Sequence, residues 1–159
     1  MPGDTKILRN RGDVKRLKFF PKVGVITQTT QSPENFVSIA SDLLTHSNEF
    51  KIFNTICPDA VKRQNEGRRL AGKCDIMLVL GGKNSANTKR LAAISKKIEN
   101  RTYQIETAQE IKAEWFRNAK SVGILAGAST PDWIIYSAVE KIKSIGSCGR
   151  GKKSACART

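Results

Sequence analysis

Apolar residues along this chain occur in short runs that are separated by longer amphipathic segments. Runs of this length, bounded by Gly, Pro or polar clusters, predict buried β-strands. The predicted strands cover residues 22–27, 49–55, 74–82, 102–107 and 121–126. Apolar residues at helical spacing predict helices at residues 58–73, 87–100 and 108–118, one that begins after Ser32 and one that begins at residues 130–132. Strands that alternate with helices predict βαβ units around a parallel sheet, which is an α/β fold.

The helix after the first predicted strand has a well-marked N-terminus. Ser32 is a good N-cap, Pro33 suits the first helical position, and Glu34 places an acid in the first turn. The first 20 residues, by contrast, are polar and basic and show no clear period. Beyond Ile145 the chain is rich in Gly, Lys and Ser and has little apolar content to bury, so we expect a disordered tail.

The composition limits the class of protein. The chain has 159 residues, which is enough for a sizeable core. It contains no run of about 18 to 20 apolar residues that could cross a bilayer, and its N-terminus lacks a signal-peptide pattern. We therefore expect a cytoplasmic protein without a membrane partner.

The chain is strongly basic, with a formal net charge of +14. Such a field favours anionic partners, whether nucleic acids, a membrane surface or phosphorylated small molecules. The basic residues are dispersed along the sequence, however, and only 6% of residues are aromatic, so stacking platforms for single strands are scarce. A basic nucleic-acid-binding module is therefore the least favoured of the functions we consider.

Polar clusters follow three of the predicted strands, at residues 27–30, 84–88 and 129–132. In an open α/β sheet, ligands bind at the carboxyl ends of the strands, where helices begin. Hydroxyl and amide side chains there can donate hydrogen bonds to phosphate oxygens. The candidates for phosphate binding are Thr29, Ser85, Asn87 and Ser129. Helix capping is the ordinary alternative, and it suffices for Ser32 and Thr130.

A cysteine occupies the corresponding place after the strand at residues 49–55. Cys57 directly precedes a predicted helix, and a helix N-terminus stabilises the thiolate that binds metals or attacks electrophiles. A lone cysteine is also commonly structural. Cys74 lies among strand residues and is expected to be a small buried hydrophobe. The single histidine argues against a nucleophilic triad, and no dinucleotide or Walker motif is present.

Four segments occur in an order and spacing that closely resemble the 4-hydroxy-3-methylbut-2-enyl diphosphate reductase (LytB) family: residues 27–30, residues 54–57 with Arg63 and Gln64, residues 81–88 and residues 126–133. The resemblance runs from about residue 8 to residue 145. It implies reductive removal of a hydroxyl group from an allylic diphosphate, which gives isopentenyl and dimethylallyl diphosphates in the non-mevalonate isoprenoid pathway. It also implies a 4Fe–4S cluster held by three cysteines and surrounded by three α/β modules, and an electron donor of the ferredoxin or flavodoxin type.

The resemblance assigns roles to particular residues. It matches Cys57 to a cluster ligand, Gln28 and Thr29 to a catalytic pair at the substrate's hydroxyl end, and Ser85, Asn87 and Ser129 to the diphosphate clamp. No cysteine precedes Cys57, so two cluster ligands of the family lack a counterpart, as do its histidines and its proton-delivering glutamate. Around Cys57 the family usually has a threonine where this chain has Ala60, Asp59 adds a negative charge, and Ala86 replaces a serine of many relatives.

We therefore expect two of the family's three parallel-sheet βαβ modules, with the N-terminal module missing. The expected organisation is a basic segment at residues 1–20, the remainder of the second module at 21–56, the third module with its closing helix at 57–146, and a disordered basic tail at 147–159. The expected function is that of an N-terminally truncated iron–sulfur reductase. The alternative is a non-catalytic fragment that binds diphosphate.

Overall fold

The computed structural model describes residues 5–151, with side chains described through Gly146. The chain divides into two compact units, Met1–Val61 and Lys62–Thr159, which we call unit 1 and unit 2. The division falls inside a helix, a few residues after the module boundary expected at residues 56 and 57. The roles expected for these segments stay predictions.

From residue 5 onward, unit 1 contains a parallel pair of strands, two α-helices and a 3₁₀ helix ahead of Pro58. Its elements are α1 (Arg11–Val14), β1 (Phe20–Ile26), α2 (Pro33–Leu43), a short 3₁₀ helix (Leu44–His46) and β2 (Ser47–Phe53). β1 and β2 are parallel, with Val23 opposite Phe50. The predicted N-terminus of α2 is confirmed, because Ser32 Oγ accepts a hydrogen bond of 3.3 Å from the Asn35 amide.

The small core of unit 1 lies between its helices and one face of the strand pair. Val14, Ile39 and Leu43 are buried there, and Val25 and Phe50 pack against them. This side of α2 is the apolar stripe that the sequence predicts. The segment near the N-terminus has no periodic pattern of apolar residues, but it forms the helical turn α1. The last residue of this turn, Val14, is almost fully buried.

Unit 2 contains a three-stranded parallel sheet. The elements that follow β2 are α3 (Pro58–Ala71), β3 (Ile76–Leu80), α4 (Ala86–Lys96), β4 (Thr102–Ile105), 3₁₀ helices at Ala108–Glu110 and Ala113–Phe116, β5 (Val122–Ala126) and α5 (Asp132–Gly151). The strand order is β4-β3-β5, and both pairings are parallel. The α/β fold with parallel sheets is therefore confirmed.

β3 is the centre of the larger core. Every residue from Ile76 to Leu80 is 0% exposed, because β4 and β5 flank the strand and both of its faces are covered. Ile76, Leu78 and Leu80 pack with Ile105 and with Ala138 of α5. An uninterrupted apolar run is the pattern of a central parallel strand, and the strand places its carboxyl end between those of its two neighbours.

The predicted helix at residues 108–118 is wrong. The chain there forms two 3₁₀ turns that are separated by extended backbone at Ile111 (ψ 121°). The Glu110 side chain accepts hydrogen bonds from the amides of Glu106 and Thr107, which caps the start of the first turn. Ile111, which follows this turn in extended backbone, is buried in the core. Tertiary packing therefore prevails over a helical pattern here.

α5 is longer than the sequence predicts. It continues to Gly151 and so includes residues 147–151, which the sequence pattern places in the tail. Ile142 and Ile145 still pack against the core, and an established helix extends at little cost, because each added residue forms a hydrogen bond. The remainder of the predicted tail, residues 152–159, lies outside the described residues. Among residues 5–151, no helix is long and apolar enough to span a membrane.

Asp75 joins the start of β3 to the start of β5. Its Oδ2 atom accepts hydrogen bonds from the amides of Lys120 (2.8 Å) and Ser121 (2.9 Å) and from the Ser121 hydroxyl (3.0 Å). These donors, led by the Lys120 amide, lower the pKa of the Asp75 carboxyl, because they favour its charged form.

We expect Asp75 to contribute to acid sensitivity. A carboxyl whose pKa is lower in the folded state stabilises the fold fully above its unfolded pKa of about 3.9, and this contribution is lost as the pH falls through the lowered folded value. Asp75→Asn should therefore flatten the pH dependence of the free energy of unfolding in this acidic range, measured by urea denaturation. Ser121→Ala, which keeps both amide donors, should have a smaller effect. If the free energy of unfolding depended on pH equally in Asp75→Asn and in the wild type, Asp75 would not contribute to acid sensitivity.

Candidate functional site

The loop after β3 connects the central strand to α4. Gly81 has a φ of 141°, and its amide still bonds the Ile105 carbonyl of β4 at 3.0 Å. The chain then turns so that the Ser85 amide bonds the Gly82 carbonyl at 3.0 Å, and α4 begins. Ser85 and Asn87 therefore lie at the carboxyl edge of the sheet, where the sequence predicts them.

Ser85 is the N-cap of α4. Its Oγ atom accepts a hydrogen bond of 3.3 Å from the Thr88 amide. A capping serine uses an oxygen lone pair for this bond and keeps its O–H proton for another acceptor. The side chain is half-buried, so capping and phosphate binding are compatible in one residue rather than alternatives.

The side chain of Asn87 has a buried oxygen atom that lacks a hydrogen bond within the part of the chain that the structure describes. Its Oδ1 atom is buried without a hydrogen-bond partner among residues 5–151, although buried polar atoms are normally paired. Rotation of the amide by 180° exchanges Oδ1 and Nδ2, which places a donor at the same position. An anionic oxygen at this point would satisfy that donor.

The loop after β5 is tied to the end of β3. The Gly127 amide bonds the Leu80 carbonyl at 2.9 Å, and the Thr130 amide bonds the Gly127 carbonyl at 3.0 Å. Thr130 Oγ1 donates a hydrogen bond of 3.0 Å to the same Leu80 carbonyl. The sequence predicts Thr130 as a helix cap, but its hydroxyl connects two strand ends instead. Ser129, between these residues, is exposed.

The loops after β3 and β5 are in close contact. A Cβ atom placed on Gly81 would lie 2.7 Å from Thr88 Oγ1 and 3.0 Å from Thr130 Oγ1. A Cβ atom on Gly127 would lie 2.8 Å from Thr88 Oγ1. Only glycines allow this approach. The structure therefore brings the loop that carries Ser129 to the edge that carries Ser85 and Asn87.

The charge of Lys83, in the loop after β3, is compensated by a carboxylate. Lys83 Nζ forms an ion pair of 2.5 Å with Glu110 Oε2, and the Lys83 amide bonds Glu106 Oε1 at 2.6 Å. Each partner stabilises the charge of the other, so the pKa of Lys83 is raised and that of Glu110 is lowered. A ligand at this edge would therefore meet mainly uncharged donors.

In unit 1 the ends of β1 and β2 are also connected. Thr55 Oγ1 accepts a bond of 3.0 Å from the Thr27 amide and donates one to the Thr27 carbonyl. The Cys57 amide bonds the Thr29 carbonyl at 2.9 Å. Gln28 and Thr29 are exposed and Cys57 is half-buried, so these three candidates belong to neighbouring strand ends.

The cysteines do not form a complete metal site in the described part of the chain. Cys57 is a free thiol at the start of α3. Cys74, in unit 2, is a second free thiol, and its partial burial raises its pKa and so favours the neutral form. In residues 5–151, no group of three or more His, Cys, Asp or Glu side chains could hold a metal ion. A cluster that requires three thiolates does not fit this residue set.

Two site-forming residues escape sequence reasoning, Thr88 and Thr130. Thr88 is 1% exposed and lies on the buried stripe of α4 with Leu91 and Ser95. The sequence does contain a signal for Thr88, because it lies three residues before Leu91 and therefore on the apolar face of the helix. A hydroxyl group buried on that face needs a hydrogen-bond partner. No comparable signal marks Thr130, since its position after a strand also suits a cap.

The parallel sheets, with hydroxyl and amide side chains at the carboxyl ends of their strands, define the chain as an α/β protein. The family model described as LytB protein matches residues 2–143. The chain belongs to the LytB family, as its four sequence segments indicate.

The curated relatives share one description. 4-Hydroxy-3-methylbut-2-enyl diphosphate reductase of Geobacter sulfurreducens is 43% identical over 149 residues, which are 94% of this chain and 53% of the relative. The protein of the same name from Syntrophotalea carbinolica is 46% identical over 143 residues, which are 90% of this chain and 51% of the relative. The chain thus spans about half the length of these relatives.

Solved structures agree with this assignment. One of (E)-4-hydroxy-3-methyl-but-2-enyl diphosphate reductase, described as the terminal enzyme of the non-mevalonate pathway, is 47% identical with a TM-score of 0.55, and the match covers 79% of this chain and 44% of that one. The E-1-hydroxy-2-methyl-but-2-enyl-4-diphosphate reductase of Plasmodium falciparum is 27% identical with a TM-score of 0.74, and covers 85% of this chain and 44% of that one.

Proposed function

We propose that this chain is a diphosphate-binding portion of a 4-hydroxy-3-methylbut-2-enyl diphosphate reductase. The relatives that carry this name support the substrate class. The observation that carries the proposal is the buried, unpartnered amide oxygen of Asn87 within residues 5–151, beside a serine that keeps a free O–H proton. Ser85, Asn87 and Ser129 are the proposed clamp.

Uncharged donors suit this ligand. A diphosphate brings its own charge, and hydrogen bonds to charged groups contribute about 1.5–3 kcal/mol each. The overall charge of +14 attracts such an anion from a distance, while the Lys83–Glu110 pair leaves the local contacts to hydroxyl and amide groups.

The proposed reaction removes the allylic hydroxyl group of the substrate. The substrate takes up two electrons and two protons, and its carbon–oxygen bond breaks. One proton joins the departing hydroxyl group to give water, and the other forms the new C–H bond. Gln28 and Thr29 are the residues proposed at the hydroxyl end of the substrate. We propose a ferredoxin- or flavodoxin-like protein as the source of the electrons.

The family's iron–sulfur cluster would supply the electron transfer. Cys57 is the residue proposed as one of its ligands. The part of the chain that the structure describes does not by itself hold a cluster that needs three thiolates.

We expect the substitution Asn87→Asp to abolish diphosphate binding without unfolding the chain. The side chains have the same shape, and an acid in the first turn of a helix is favourable. A carboxylate facing a diphosphate is a like-charge contact that costs several kcal/mol, so the Kd for 4-hydroxy-3-methylbut-2-enyl diphosphate should rise at least about 100-fold. Isothermal titration calorimetry of the full chain measures it.

The matched control is Asn48→Asp, which makes the same charge change at an exposed position of β2. We expect its Kd to stay within about twofold of the wild type. Wild-type affinity in Asn87→Asp, or failure of inorganic pyrophosphate to compete with the substrate, would refute the proposed clamp.

A further inference from the structure

The hydroxyl groups of Thr88 and Thr130 lie between the two loops that carry the proposed clamp. Thr88 Oγ1 is close to both Gly81 and Gly127, as the distances of 2.7 and 2.8 Å from their hypothetical Cβ atoms show. Thr130 Oγ1 is close to the same glycines, at 3.0 and 3.3 Å from their hypothetical Cβ atoms. We call these four residues the threonine–glycine contact.

The Leu80 carbonyl is the point where the two loops are joined. It is the last carbonyl of β3, and it accepts hydrogen bonds from the Gly127 amide (2.9 Å) and from Thr130 Oγ1 (3.0 Å). The first bond continues the pairing of β3 with β5. The second comes from a side chain that directly follows Ser129, so it restrains the backbone of the clamp residue itself.

The backbone of Thr130 also closes the loop after β5. Its amide bonds the Gly127 carbonyl, which makes the segment from Gly127 to Thr130 a closed turn. Ser129 is exposed in this turn, and the hydroxyl bond of Thr130 anchors the turn on the side away from solvent. The orientation of Ser129 therefore depends on a residue that need not touch the ligand.

We propose that Thr130 is a positioning residue that holds the Ser129 loop at a set distance from the Ser85 and Asn87 loop, and so makes the site selective for two linked phosphates. The inference rests on the proposed function, which supplies the ligand. A monophosphate can be bound by either loop alone, whereas a diphosphate must be reached by both at once. Preorganised donors bind better because less ordering is required on binding.

The test compares pyrophosphate and orthophosphate binding to the full chain by isothermal titration calorimetry. In Thr130→Val the shape is kept and the hydroxyl is lost, and we expect the Kd for pyrophosphate to rise about tenfold while that for orthophosphate changes less than twofold. Thr130→Ser keeps the hydroxyl and should restore the pyrophosphate Kd to within about twofold of the wild type. If Thr130 had a purely structural role, Thr130→Val would raise the Kd values of both ligands by a similar factor, and Thr130→Ser would not restore the Kd for pyrophosphate selectively.

Two further measurements separate this proposal from the proposed function. The wild type and Asn87→Asp test the proposed diphosphate clamp. A wild type that binds pyrophosphate no more tightly than orthophosphate would refute both the clamp and the positioning role of Thr130. A wild-type preference for pyrophosphate that is lost in Asn87→Asp but retained in Thr130→Val would overturn the positioning role alone. A Thr130→Val chain that does not fold, judged by circular dichroism, would assign the hydroxyl to fold stability and would also overturn the proposal.

Discussion

Replacement of Gly81 by alanine is expected to destabilise unit 2 by about 2–4 kcal/mol, because two costs coincide there. The φ of 141° is one that residues with a Cβ atom rarely adopt. The new Cβ atom would also lie 2.7 Å from Thr88 Oγ1 and 3.0 Å from Thr130 Oγ1. To relieve these contacts, the loops after β3 and β5 would have to move apart. This movement would separate the residues of the proposed clamp, so we expect pyrophosphate binding to be lost as well.

The adjacent glycine provides a matched control. A Cβ atom on Gly82 would meet its nearest neighbour, Glu106 Oε1, at 3.7 Å, which is ordinary contact. Gly82→Ala should therefore change the free energy of unfolding by less than about 1 kcal/mol. Urea denaturation followed by tryptophan fluorescence measures both variants, because Trp115 and Trp133 belong to unit 2. Equal stabilities of the two variants would show that the loop tolerates a Cβ at either position.

The substitution Leu78→Ala is expected to lower the free energy of unfolding of unit 2 by about 3–5 kcal/mol. Leu78 is 0% exposed in the middle of β3, where the packed strands and helices leave little freedom to close a cavity. Truncation of such a side chain loses its transfer free energy and leaves a void. The same fluorescence measurement in urea gives the change.

Ile98→Ala serves as the comparison for Leu78→Ala. Ile98 also lies in unit 2 but is 49% exposed, so its truncation should cost less than about 1 kcal/mol. A loss of less than 1 kcal/mol in Leu78→Ala would mean that β3 is not the packed centre of the unit.

Much of the fold follows from local pattern alone. The continuous apolar run of β3 predicts a strand covered on both faces, and the polar Ser32 with Pro33 predicts the start of α2; the structure has both. The 108–118 segment fails for a physical reason. Its helical pattern competes with the burial of Ile111, which packs in a core formed by residues that are distant in sequence. The Glu110 cap, by contrast, is a local contact with Glu106 and Thr107.

The candidate site is predictable to the same extent. Because parallel strands point the same way, Ser85, Asn87 and Ser129 had to reach one edge of the sheet once β3 and β5 were neighbours. That these strands pair directly is a long-range fact. That Gln28, Thr29 and Cys57 face the same ligand stays a prediction.

The residue types and spacing by themselves determined the α/β class, the family and the uncharged donors at the strand ends, because each follows from local periodicity or from an ordered set of short segments. Only the tertiary structure decided that Thr130 bonds the Leu80 carbonyl rather than capping a helix, that Gly81 must lack a side chain, and that Lys83 is neutralised by Glu110. Each of these depends on atoms that lie more than twenty residues apart or on a backbone angle, and a linear pattern contains neither.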